Sequence, residues 1–207
     1  VPEAKAKIEP DLHKRNNGII HPYIESPLFK TAVAYKLTGN RSYGEKVAEL
    51  LRRCADPQTG YPHTLHLTFA DMPQEGGTFQ GLLRSYDLIR NDHFLSKEED
   101  EQVLQMFRLY CESLVNSRVN GGISNWSVFN LGPAAQCALM IHDLDLFDKI
   151  VYGTNGLIDQ FRYGTMNDGW WYEMALSYNL ESASCFTQLG LTAKAFGMNL
   201  LHEEFPS

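Results

Sequence analysis

The sequence is short of several things at once. No apolar run approaches the roughly 20 residues that a membrane-spanning helix requires, and no basic-then-apolar leader pattern stands at its start. Positive charge is scarce. Eighteen Lys and Arg face 25 Asp and Glu, for a formal net charge of −7. That balance argues against nucleic acid as a partner, and any anionic polymer must be held by a local patch of cations or N–H groups. Cysteine is sparse, and Cys54, Cys111, Cys137 and Cys185 lie far apart, each beside apolar residues in a helical pattern. They read as buried free thiols, and no Cys or His pair has the spacing of a zinc site. Also missing is any useful stretch of alternating apolar and polar residues, so strands and strand hairpins are not expected.

What is present is helical periodicity in an ordinary globular composition, 43% hydrophobic and 21% charged. A first helix is predicted over about 27–38, opened by Ser26-Pro27 and closed by Gly39-Asn40, and a second over about 42–54. A loop rich in Gly, Pro, His and Thr follows, over about 55–77, long enough to suggest function. Thr78 is expected to cap the next helix, and Ser96-Lys97-Glu98-Glu99 spells a capping box ahead of another. A helix over about 124–142 contains Pro133, which predicts a kink or a late start. Helices over about 144–163, interrupted at Gly153 to Gly156, and over about 177–199 complete the series.

The expected fold is all-α, with about seven helices in hairpin order. Short turns alternate with long decorated loops, which suits an α/α toroid or a solenoid whose loops gather at one mouth. The expectation is a single domain over 1–207, an incomplete α/α toroid of antiparallel helical hairpins. Both ends, Val-Pro-Glu-Ala-Lys and Glu-Phe-Pro-Ser, read as processing or cloning boundaries of a longer protein.

Two loops concentrate the chemistry. One is Gly121-Gly122-Ile123-Ser124-Asn125-Trp126, which leads into a helix. Asn125 there reads first as a plain N-cap, but the same place offers N–H groups and a positive dipole end, where an amide can help hold a carboxylate. The other is Asn167-Asp168-Gly169-Trp170-Trp171-Tyr172-Glu173, a tight Asp-Gly turn with three aromatics and an acid, followed by Tyr178. Aromatic faces suit sugar rings, and a phenol can move a proton once its neighbours lower its pKa. Taken singly, Tyr172 and Tyr178 are equally ordinary amphipathic core aromatics, and Glu173 an ordinary solvated acid. His63 and His66 stand in the long loop and His142 at a helix end. Arg84, Arg118 and Arg162 are available to an acidic substrate.

The phrases Ser124-Asn125-Trp126 with Asn130-Leu131-Gly132, and Asp168-Gly169-Trp170-Trp171-Tyr172-Glu173 with Tyr178, resemble the heparinase II/III-type polysaccharide lyases. That group includes alginate lyases and uronyl epimerases with an α/α-toroid domain. Tyr35-Lys36-Leu37-Thr38-Gly39-Asn40-Arg41-Ser42-Tyr43 is similar to its helical hairpins. The resemblance implies β-elimination on a uronic-acid-containing polysaccharide or oligosaccharide, with no cofactor or metal required and a periplasmic or secreted bacterial setting. It implies Tyr178 as general base and acid, Asn125 neutralising the uronate carboxylate, and His66 completing the catalytic set. Trp126, Glu173, Trp170, Trp171, Tyr172, His63 and Arg84 would bind substrate. Two departures stand out. Many members have His directly after the Asn, where this chain has Trp126, and many add a C-terminal β-sandwich that contributes a histidine, which this chain does not reach. The alternatives are a glycoside hydrolase on a similar toroid, using two of Asp71, Asp168 and Glu173, and a non-catalytic carbohydrate-binding helical scaffold.

Overall fold

The structure, a computed structural model, describes residues 26–61, 74–117 and 122–200. These are all-α. Among them the sole extended pairing is one isolated antiparallel bridge between Thr165 and Trp171. The helices are α1 (Ser26–Thr38), α2 (Arg41–Ala55), α3 (Gln74–Ile89), α4 (Lys97–Ser117), α5 (Asn125–Met140), α6 (Leu144–Tyr152), α7 (Leu157–Gly164) and α8 (Leu176–Ala195). No helix among the described residues is long and apolar enough to cross a membrane. The chain separates into two compact units, Val1–Tyr110 and Cys111–Ser207.

In the first unit, α1, α2 and α3 pack against one another. The α1–α2 hairpin turns at Gly39, whose φ of 68° favours a residue without Cβ, and Asn40 caps α2 by accepting the Ser42 N–H at 3.0 Å. Several rings meet within its largely aliphatic core. Phe79 stacks on Tyr110 with centroids 3.9 Å apart, and Tyr61 meets Phe79 edge-on at 4.4 Å. The predicted capping box forms: Ser96 N–H donates to Glu99 Oε2 at 2.8 Å, and Glu99 N–H to Ser96 Oγ at 3.2 Å. Thr78 is not a cap. The helix already begins at Gln74, and Thr78 is buried in its second turn. Gly76 and Gly77, which read as loop residues, are inside that helix, because its apolar face must reach the core.

In the second unit, α5 packs on α6, α7 and α8. Small residues let α5 and α8 approach closely, and a Cβ placed on Gly132 would lie 3.4 Å from that of Cys185. Further along both helices, Thr192 Oγ1 donates to Gln136 Oε1 at 3.3 Å. The paired residue numbers rise together, so α5 and α8 run in the same direction, with Asn125 and Leu176 at the same end. Pro133 neither delays nor divides α5, which is continuous from 125 to 140. Burial on most sides of α5 offsets the lost N–H, a defect of about 3 kcal/mol in an isolated helix. The break at Gly153 to Gly156 is present. A Cβ on Gly153 would sit 2.2 Å from the Lys149 carbonyl oxygen, so the tight turn from α6 to α7 requires glycine. All four cysteines are buried thiols that form no disulfide. Burial pushes the Cys54 and Cys185 thiols up to about 12, which leaves them unreactive.

Candidate functional site

The two loops singled out in the sequence meet in the second unit. After α7 ends at Gly164, the chain folds back on itself. Thr165 bridges Trp171, Met166 N–H donates to Trp170 O at 2.8 Å, and Tyr172 N–H donates to Gly164 O at 2.8 Å. The turn closes as the Asp-Gly pair predicts. Gly169 adopts φ 85°, and Asp168 Oδ1 accepts the Trp170 N–H at 3.1 Å. Met174 then takes φ 61°, an uncommon conformation for a residue with Cβ, just before α8 begins.

This hairpin is latched to the start of α5. One oxygen of Glu173, Oε2, accepts the Asn125 backbone N–H at 2.8 Å and the Trp171 indole N–H at 2.7 Å. A carboxylate at a helix N-terminus is favoured by the free N–H groups and the dipole. Tyr172 adds a second tie, its hydroxyl donating to Ile123 O at 2.5 Å. Burial, reinforced by the negative charge of Glu173, holds the Tyr172 phenol above its ordinary pKa of 10.0. Tyr172 is therefore a neutral donor and a poor candidate for a base. The hairpin is also tied to α8, where Asn179 Oδ1 accepts the Trp171 N–H at 2.9 Å.

Several expected roles change with this geometry. Asn125 is not the cap. Ser124 is, with extended φ/ψ and Oγ accepting the Ser127 N–H at 3.1 Å, and Asn125 is the first helical residue. Asn125 is only 4% exposed. The positive end of α5, expected to help hold a substrate carboxylate, already faces Glu173. Trp171 is 2% exposed, with its ring packed on Gly164, so it has no face to offer a sugar. Trp126, Trp170, Tyr172 and Tyr178 are each 38–41% exposed.

Arg84 belongs to the first unit, where it is half-buried with its guanidinium 5.9 Å from the Phe29 ring centre, and desolvation lowers its pKa. Arg162 is exposed near the end of α7, and His142 is exposed beyond α5, with its ring edge-on to Phe196. His63, His66, Asp71 and Arg118 lie outside the described residues. Among the described residues, no group of three or more His, Cys, Asp or Glu is arranged to hold a metal ion.

One participant escaped the sequence reading. Gln160 on α7 is fully buried, and its amide is fully used: Oε1 accepts the Ser124 N–H at 3.0 Å, and Nε2 donates to Gly122 O at 3.1 Å and Asn155 O at 3.0 Å. The available signal was a lone amide among the apolar positions Leu157, Ile158 and Gly164 of a short helix. A buried polar group in such a place needs partners. No protein-family model matches the chain, and neither a curated protein nor a solved structure matches it.

Proposed function

We propose that this chain is a polysaccharide lyase that cleaves a uronic-acid-containing polymer by β-elimination, on an incomplete α/α toroid. The observation that carries this reading is the latch through Glu173. It joins the start of α5 to the aromatic hairpin, at the end of the second unit where the parallel helix α8 presents Tyr178. Parallel neighbours of this kind are what alternate helices of a toroid would be.

In the proposed reaction the Asn125 amide holds the uronate carboxylate. Charge that develops on the carboxylate as C5 loses its proton is thereby stabilised. Tyr178, as phenolate, takes the C5 proton. The electron pair forms the C4–C5 double bond, the C4–O4 bond breaks, and the phenol returns its proton to the leaving O4 oxygen. Tyr178 is preferred to Tyr172 because the latter's proton is committed to Ile123 O. Trp126, Trp170 and Tyr172 supply the exposed aromatic surface for the sugar faces. A hydrolase is less well supported. Asp168 and Glu173 already accept N–H groups that fix the hairpin, whereas a hydrolase needs two carboxyls facing the scissile bond.

The test is incubation with alginate, heparan, chondroitin, hyaluronan and other polyuronates, read by ultraviolet absorbance of the new double bond. Tyr178→Phe should lower turnover by about 100-fold or more with little loss of substrate binding. Near-normal turnover in that variant would overturn the mechanism, and unchanged oligosaccharide binding without any cleavage by the parent would favour a binding module.

A further inference from the structure

Resting on that reading, we infer that Gln160 is a positioning residue for the reaction. With Tyr172 it clamps the backbone 122–124 so that Asn125 is presented in one fixed geometry. The segment leaves little unheld. Gly122 O accepts from Gln160 Nε2 and, at 3.2 Å, from Ser127 Oγ. Ile123 O accepts from Tyr172. Ser124 N–H goes to Gln160 Oε1, Ser124 O accepts the Val128 N–H at 3.2 Å, and Asn125 N–H goes to Glu173. A glycine-bearing approach to a helix would otherwise sample many conformations. Here side chains from α7 and from the hairpin grip it from separate elements, which is the support that a preorganised site needs.

Only an amide satisfies the Gln160 position. It must accept one N–H and donate to two carbonyls at once, and a glutamate would set its charge against both carbonyl oxygens. The chemistry of the clamp therefore predicts a split between stability and turnover. Gln136, a second buried glutamine of the same unit, bonds Thr192 and Gly132 far from the hairpin and serves as the matched control.

The experiment compares Gln160→Met, Gln136→Met and Tyr172→Phe with the parent protein. Turnover on the cleaved polyuronate is measured alongside amide hydrogen exchange. Gln160→Met should lower kcat by about 10- to 100-fold with KM changed little, since a small misplacement has that scale of effect. It should also speed exchange at Ser124 and Asn125, while Gln136→Met should do neither even if equally destabilised. Tyr172→Phe, which removes a half-exposed hydroxyl and so is safe for folding, should lower kcat in the same direction by a smaller factor. Equal kcat in Gln160→Met and Gln136→Met would overturn the inference, as would unchanged exchange at Ser124 and Asn125. If the parent cleaves no polyuronate, the lyase reading fails, and exchange alone then decides whether the clamp exists.

Discussion

The two units solve burial in different ways. In the first, the rings of Tyr61, Phe79, Tyr86, Phe107 and Tyr110 are buried together with many aliphatic side chains, and among the described residues its buried polar side chains are two hydroxyls on α3, Thr78 and Ser85. Ser85 simply turns back to Gly81 O at 2.6 Å. Leu37 is the sole large apolar residue well exposed there among the described residues. The second unit has a core mostly of small and aliphatic side chains around α5, with Phe147, Trp171 and Phe186 as its buried rings among the described residues, and it buries Asn125, Gln136, Gln160 and Ser182. It also exposes Trp126, Tyr163, Trp170, Tyr172 and Tyr178. Buried amides are expensive unless fully paired, and exposed rings forgo burial. Among the described residues the second unit accepts both and the first neither, so the second unit gives up stability for a surface. That contrast is the reason the proposed site lies in the second unit.

If the contrast is right, the first unit should be the more sensitive to loss of apolar volume. Phe79→Ala removes a ring that stacks on Tyr110 and meets Tyr61, and it should cost about 3–5 kcal/mol. Urea unfolding followed by the aromatic circular dichroism would measure it. A cost below about 1 kcal/mol would mean that the ring core is not what holds this unit.

In the second unit, Gly164→Ala tests the latch through packing. Alanine gains roughly 1 kcal/mol of helix propensity over glycine. The new Cβ, however, would lie 2.2 Å from the Trp171 ring and 3.0 Å from Ile123 Cγ2. Trp171 is buried and held through its indole N–H, so it cannot swing aside freely. Overpacking of this kind costs about 1–3 kcal/mol, so the clash wins and the variant is destabilised. If the ring is driven out, tryptophan fluorescence should shift to the red as the indole meets water. A neutral or stabilised variant with unshifted fluorescence would show the hairpin to be loosely seated.

Legibility from the sequence follows the range of the interaction. The Ser96 box, the Asp168-Gly169 turn and the Gly153 to Gly156 break depend on residues within a few positions, and each was readable. The start of α3 was not. Gly76 and Gly77 have poor helix propensity, and tertiary burial of Phe79 and its neighbours carries the helix through them. In the second unit, the sequence singled out the two loops that meet but not which of their atoms touch. Asn125 read as a cap because Asn is a good one, yet Ser124 is as good and one residue earlier. Glu173 read as a sugar ligand because nothing local shows that its partner is a backbone N–H 48 residues away. Gln160 gave no local signal beyond its polarity on an apolar face.

The smallest effect expected is at the start of α4, where the first unit does rely on a charge. Glu99 accepts the Ser96 N–H and pairs with Arg52 Nε at 2.7 Å. Its carboxyl is held below the ordinary 4.5, chiefly by the Ser96 N–H and further by Arg52. A carboxyl depressed in the folded state stabilises it while ionised. That contribution is complete above the ordinary glutamate value and is lost as pH falls through the lower, folded value. The Arg52–Glu99 pair is about one-third exposed, so solvent screens it and the cap contributes more than the ion pair. Ser96→Ala should therefore cost about 1 kcal/mol at neutral pH. Glu99→Gln should cost less, because its amide oxygen still accepts the Ser96 N–H, and it should flatten the decline in stability below pH 4.5. Urea midpoints taken between neutral and acid pH would read both. An undiminished acid decline in Glu99→Gln would assign it to other carboxylates, Asp92 paired with Lys36 at 2.6 Å being the first to substitute next.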